Sequence, residues 1–426
     1  MKIGFKQFIL STAIVAILAP AAMAQASGKS LQQGRYTAVT QRTQPDFDPD
    51  PKRLGAFDVR MALGLSAEYN DNIFATETLQ DDDTIVRIRP EIDLKSNWTT
   101  HLLEAGVSLD QKEYLSNSSE SVTDYNTYVG GRIDVQRSFA LNGRILAAHV
   151  TEQRYEPASS GAPAPAQYDR IGYNAGATFR TDRVQLSGTA GVTEDDFDVT
   201  IPGVNRDVSE TFFSGRASYV WSPDVSFFIQ GRGSEQDYDD PGSLTNPDRD
   251  GERSSFEVGA SFELQAPFRG EIAVGSISED KVARPDLDGL SLNAQIEWFP
   301  TEITTVTFRG NSSVYDPGLQ NSASVLSTSY GARVDHELYR NLILFGDLGI
   351  GSYEFEGDVP LSPGPGTRAF DRQDDFTDFT AGLAWKLNKN VRLESDYRLH
   401  TQESGGVDRD RDLNQNIFSV GLRFYP

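Results

Sequence analysis

Phe57, Val59, Met61, Leu63, Leu65, Ala67 and Tyr69 alternate with Asp58, Arg60, Ala62, Gly64, Ser66 and Glu68. The chain ends the same way, with Phe418, Val420, Leu422 and Phe424 interleaved by Ser419, Gly421 and Arg423. A period of two puts one set of side chains on each face of a strand. Here one face is apolar and the other polar. From Ala56 onward the pattern recurs in about eighteen segments, as in a transmembrane barrel, with 16 as the alternative count. The segments are 57–69, 84–95, 101–111, 125–136, 139–151, 168–180, 183–193, 208–221 and 225–233. They continue at 254–264, 270–278, 290–299, 304–314, 324–338, 341–352, 376–387, 391–401 and 414–424.

The connections fall into two kinds that take turns. One kind is short: Ser96 to Thr100, Arg137-Ser138, Thr181-Asp182, Ser222-Pro223-Asp224, Pro300 to Ile303, Arg340 and Asn388-Lys389-Asn390. The other is long, acidic and rich in Gly, Pro, Asn and Ser, as at 70–83, 112–124, 152–167, 194–207, 234–253, 353–375 and 402–413. Short periplasmic turns and long extracellular loops are the asymmetry of an antiparallel transmembrane β-barrel. The expected fold is therefore all-β. Its first strand runs outward and its last inward, so the two can pair and close the cylinder.

The four tryptophans offer an independent check. Trp98, Trp221, Trp298 and Trp385 each fall at or near the end of an inward-running segment. That places all four at the periplasmic interface, where an aromatic girdle belongs.

Residues 1–24 read as a signal peptide. Lys2 and Lys6 precede the apolar stretch Phe8 to Ala19, and Ala22-Met23-Ala24 is a small-x-small cleavage site. Residues 25–55 are polar and proline-punctuated, with no periodic apolar face, and are expected to be a largely disordered periplasmic leader, a plug inside the barrel being the less favoured alternative. The barrel then occupies 56–426. The chain has no cysteine, so it can carry neither disulfide nor thiolate site.

Net charge is −23, from 62 acidic and 39 basic residues, which argues against a nucleic-acid surface. The expected surroundings are outer membrane lipid and lipopolysaccharide, with a periplasmic polysaccharide-export partner as one candidate.

Catalysis finds little support. Strand phase turns His101, His149 and His336 outward and only His400 into the lumen. None has a nucleophile at a telling spacing, and neither a Gly-x-Ser-x-Gly elbow nor a His-Glu-x-x-His pair occurs. No cofactor or metal site is expected. Asp248-Arg249-Asp250-Gly251 matches only part of a calcium loop and reads as a solvated charged loop.

The polar phase is charged in places. Arg87, Arg89, Glu91 and Asp93 share one strand face, Arg132 and Asp134 another. Arg392, Glu394, Asp396, Arg398 and His400 share a third. Such rows either pair across strands to hold register or set a field that selects solutes. Few aromatics are expected inward; Phe228 and Phe345 are the candidates. Pro360, Pro363 and Pro365 either stiffen a constriction or keep an outer loop extended.

Gln41-Arg42-Thr43-Gln44-Pro45-Asp46-Phe47-Asp48-Pro49 leads to Arg53-Leu54-Gly55-Ala56-Phe57, then to Tyr69-Asn70-Asp71-Asn72-Ile73-Phe74 and Ile88-Arg89-Pro90-Glu91. These stretches resemble the Putative beta-barrel porin 2 family. The resemblance implies an outer membrane barrel without enzymatic role, some relatives being associated with exopolysaccharide or capsule loci. It marks Asn70, Asp71 and Asn72 as a family turn, residue types that tolerate left-handed backbone. The functional expectation is a porin-like conduit, with exopolysaccharide export as its cargo. The alternatives are a small-solute porin, an adhesion barrel with a closed lumen and, remotely, a loop-borne hydrolase.

Overall fold

The computed structural model describes residues 36–159, 163–198, 205–240, 248–264, 267–360 and 367–426. The signal segment 1–24 and the leader as far as residue 35 lie outside the described residues.

The strands, in chain order, are β1 (Lys52–Leu54), β2 (Phe57–Asn70), β3 (Asp83–Ser96), β4 (Leu102–Tyr114), β5 (Val122–Gln136), β6 (Phe139–Thr151) and β7 (Gln167–Arg180). Next come β8 (Val184–Phe197), β9 (Val208–Ser222), β10 (Val225–Tyr238), β11 (Gly251–Glu263), β12 (Phe268–Lys281), β13 (Leu287–Thr301) and β14 (Thr304–Tyr315). The last are β15 (Ser322–Tyr339), β16 (Leu342–Pro360), β17 (Thr367–Ala369), β18 (Gln373–Asn388), β19 (Val391–Gly405) and β20 (Leu413–Phe424). Setting aside the short β1 and β17, 18 antiparallel strands form one closed barrel.

Closure runs from Leu63↔Phe424 to Asn70↔Ile417 between β2 and β20. β20 stops short of the lower part of β2. β1 folds back there and pairs Lys52↔Val59 through Leu54↔Phe57, so the edge that β20 leaves bare is covered. The outward phase is greasy and unpartnered: Phe213 is 64% exposed, Leu290 62% and Ile145 61%. Such a belt is stable only against lipid.

All eighteen expected segments form strands, but many run further at their outer ends. β10 continues to Tyr238, β16 to Pro360 and β19 to Gly405. Beyond the lipid both faces of a strand meet water, so the period-two pattern lapses while the backbone ladder continues. The outer part of β16 pairs with β17 as a hairpin, Asp358↔Ala369 to Pro360↔Thr367. Residues 361–366, including Pro363 and Pro365, lie outside the described residues.

The leader departs from expectation. From Tyr36 it is ordered and lies against the inner wall at the periplasmic end. Tyr36 stacks on Phe299 at 5.1 Å, and Arg269 donates to the Tyr36 carbonyl at 2.7 Å. The Val39 N–H bonds Thr305 Oγ1 at 3.0 Å, Arg42 pairs with Glu337 at 3.1 Å, and Asp48 pairs with Lys386. These partners are single side chains pointing inward from β12 to β18. The leader needs no apolar period of its own to dock on them.

Candidate functional site

The lumen encloses a cavity of about 2980 Å³. It runs from periplasmic residues such as Thr99, Arg137 and Ser138 up to a layer of loops that includes Glu152–Pro157 and Tyr315–Pro317. Its wall is the polar phase of the strands.

That phase carries every lumen charge anticipated from the sequence, mostly in pairs. Arg87 bridges Glu68 (3.2 Å) and Asp110, and Arg398 bridges Glu68 and Asp396 (2.8 Å). Glu91 pairs with Arg423 of β20, Arg132 with Asp134 at 2.9 Å, and Arg392 with Glu394 at 3.1 Å. Asp93 accepts from the Tyr128 hydroxyl, and His400 Nδ1 lies 2.7 Å from Asp378. The pairs that cross strands, such as Arg87 with Glu68 and Asp110, hold register, and those within a strand, such as Arg132 with Asp134, neutralise charge locally.

Arg89 is different. Its buried Nε has no hydrogen-bond partner, and the same holds for Arg144 on β6 and Arg180 on β7. Among the described residues no carboxylate pairs with any of the three, and all three line the cavity. Arg144 lies over the Tyr128 ring at 4.0 Å. Arg144 and Arg180 were legible by phase: each falls on the polar face of its segment, as Asn142 does beside Arg144.

The opposite wall is packed. The Arg216 guanidinium sits 3.5 Å from the Phe228 ring centroid and makes two 2.7 Å bonds to Glu271. Arg333 covers Phe345 at 4.5 Å, Arg232 covers Phe212 at 4.1 Å and Arg372 covers Phe355 at 4.4 Å. Phe228 and Phe345 point inward, yet each is roofed by an arginine. The lumen also holds more aromatics than the sequence suggested, among them Tyr114, Tyr128, Tyr168, Phe212, Tyr315, Tyr353 and Phe376. Tyr128, Tyr168 and Phe212 were missed because an inward ring looks out of place in a polar phase until its covering cation is seen.

The outer end is closed down by loops that read as solvated. Arg249 is only 1% exposed and makes 2.6 and 2.7 Å bonds to Asp316. The Lys281 ammonium donates to the Arg249 carbonyl at 2.8 Å, and Arg206 pairs with Glu152 at 2.9 Å. This corrects the reading of 248–251 as a solvated loop. Burial alone would raise the Asp316 pKa, but Arg249, Arg206 and Lys281 outweigh it and hold it down to about 2. For Glu156, burial and then Glu152 push the carboxyl well above its usual range.

Asn70, Asp71 and Asn72 do not adopt left-handed backbone; the positive φ angles fall at Ala75 (51°) and Leu79 (56°). The three residues stitch the first loop to the last strand instead. Asp71 accepts from the Asn416 backbone and side chain at 2.7 Å each, and Asn72 donates to the carbonyls of Thr76 (2.8 Å) and Asn414 (3.0 Å). Asn72 also accepts from the Thr76 N–H at 3.0 Å, which holds the strained Ala75 in place.

Trp221, Trp298 and Trp385 lie on the outward phase near the periplasmic rim, and Trp98 sits in the β3–β4 turn against Phe57. His101 and His336 take the outward phase at the same rim, and His149 does so near the outer one, 2.8 Å from Asp169. Of the four, His400 takes the inward phase.

The sequence profile of the Putative beta-barrel porin 2 family matches residues 44–425. The chain belongs to that family. Its porin-like barrel places it in the outer membrane. No curated protein matches it. Among solved structures it is similar to Pseudomonas aeruginosa OpdL, at 14% identity and a TM-score of 0.44, over 87% of this chain and 99% of that one. It is also similar to P. aeruginosa OccK2 (OpdF), crystallised with glucuronate, at 11% identity and 0.46, over 86% and 98%. The copper transporter OprC gives 10% identity and 0.48, over 88% and 81%.

Proposed function

We propose that this family member is a passive conduit that favours anionic solutes, not a catalyst. One observation carries the reading: Arg89, Arg144 and Arg180 face the cavity with no carboxylate partner among the described residues. A guanidinium in a narrow aqueous lumen is attracted to carboxylate or phosphate and repels cations, and an unpaired one keeps its full field. The paired arginines hold the wall; Arg89, Arg144 and Arg180 act on what passes. Selection comes from that field and from the loop layer.

A second reading, export of an acidic exopolysaccharide, is favoured by the continuity of the cavity from the periplasmic rim to the outer loops. A chain carrying a carboxylate on each repeat would move from one arginine to the next. Liposome swelling tests the main reading. Gluconate should enter vesicles bearing the full chain faster than lysine, a cation of similar size. Equal rates, or faster lysine, would contradict it. Loss of surface polysaccharide in a deletion strain would move the assignment to the export reading.

A further inference from the structure

Five rings run in contact along the inner face of the loop layer. Tyr155 stacks on His400 with centroids 4.2 Å apart, and His400 lies 6.5 Å from Phe376. Phe376 stacks on Tyr353 at 4.8 Å, and Tyr353 meets Tyr315 edge-on at 6.4 Å. Four strands and one inward-folded loop supply them, and all five line the cavity.

Their surroundings are polar on the cavity side. Neither the Tyr315 nor the Tyr353 hydroxyl has a hydrogen-bond partner among the described residues. The Glu156 carboxyl is close enough to bear on Tyr155, Tyr315 and Tyr353, and Asp378 adds a second carboxyl beside His400. An apolar solute would leave these groups unsatisfied. An anion would meet the Asp378 carboxylate. A sugar ring fits both features, because it joins an apolar C–H surface to a rim of hydroxyls that donate and accept.

We propose that this ribbon of rings, with Glu156 and Asp378, is a saccharide-binding subsite inside the lumen. The inference rests on the reading of the lumen as a path open to solutes. It adds a ligand class and a location that the arginines do not supply. The arginines draw charge toward the β3–β7 wall, whereas the ribbon holds uncharged rings just beneath the outer loops.

The test uses the full chain in planar bilayers, with maltohexaose, cellohexaose and chitohexaose as probes. At least one hexaose should interrupt the ionic current transiently. Its residence time should fall about tenfold in Tyr353→Leu, the loss of roughly one stacking contact and one hydrogen bond. The double variant Tyr315→Phe with Tyr353→Phe keeps both rings and removes only the hydroxyls. It should shorten residence severalfold. Current that none of the three probes interrupts, or residence times unchanged in both variants, would overturn the subsite and leave the conduit standing. Absence of any ionic current would instead overturn the conduit. The subsite would then be judged by calorimetric titration of the same hexaoses into the detergent-solubilised chain, where binding weakened by the double variant supports it and no binding overturns it.

Discussion

The β3–β7 wall and the β9–β12 wall of the lumen use the same residue type for opposite ends. On the β9–β12 side an arginine is fixed twice over. Arg216 lies flat on Phe228 and grips Glu271, and Arg269 pairs with Glu297 while holding the Tyr36 carbonyl. On the β3–β7 side Arg89, Arg144 and Arg180 have no acid to grip among the described residues. A guanidinium that is stacked and paired stiffens the barrel and contributes little field to the lumen. One that is unpaired contributes little to stability and leaves its charge to passing solute. Counting arginines therefore says nothing about selectivity; only their partners do.

The comparison can be broken or sharpened by substitution. The largest effect is expected in the loop layer. Asp316→Asn strands Arg249 in a buried site, which should destabilise that layer by about 3–5 kcal/mol. Thermal unfolding in detergent and hydrogen exchange over 152–159 would register it; unchanged protection would show that the layer does not depend on the pair.

Arg216→Ala comes next. Losing a part-buried ion pair and a covered ring should cost about 2–4 kcal/mol of stability. Ion selectivity should barely move. The mirror case is Arg144→Ala, expected to change stability by under about 1 kcal/mol while shifting selectivity toward cations. Equal stability losses in Arg216→Ala and Arg144→Ala would erase the distinction between the walls.

Acidity should act on the loop layer with two opposite signs. Glu156 has a folded-state pKa raised by burial and Glu152, so its contribution is complete below the usual 4.5 and is lost as pH rises through the folded value. Asp316 has a lowered one, so its contribution is present above the usual 3.8 and is lost as pH falls toward about 2. Exchange protection of 152–159 should thus peak near pH 4–5. Glu156→Gln should flatten only the decline toward neutral pH. A decline unchanged by that substitution would show that another group sets it.

The smallest effect is expected at the rim. Asp50 is fully exposed, and its hydrogen bond and charge contact with Lys389 hold its carboxyl below the usual range. Lys389→Ala should leave barrel stability unchanged within measurement, since exposed pairs contribute little. A clear loss of stability would mean that the leader anchors the cylinder through this contact.

The barrel was legible because its lipid imposes a rule on every second residue. Val59 to Tyr69 and Phe418 to Phe424 obey it, and so do the strands between. The Asn388-Lys389-Asn390 turn was legible too, since the Asn388 side chain caps the Asn390 and Val391 N–H groups at 2.8 and 3.0 Å. What stayed hidden depends on partners far along the chain. Tyr155 finds His400, and Arg249 finds Asp316, across loops whose composition looks solvated. The ordering of Tyr36 to Pro51 rests on isolated lumen side chains, which no local pattern announces. Arg89 was visible as a lumen residue, but its lack of a partner follows only from the register of its neighbours.

The most direct measurement is the reversal potential of the full chain in planar bilayers across a potassium chloride gradient, taken beside the triple variant of Arg89, Arg144 and Arg180 to alanine. The account predicts a potential of the sign that favours chloride, moving toward potassium in the triple variant while single-channel conductance persists. A cation-favouring potential in the unaltered chain, or one that the triple variant leaves in place, would contradict it.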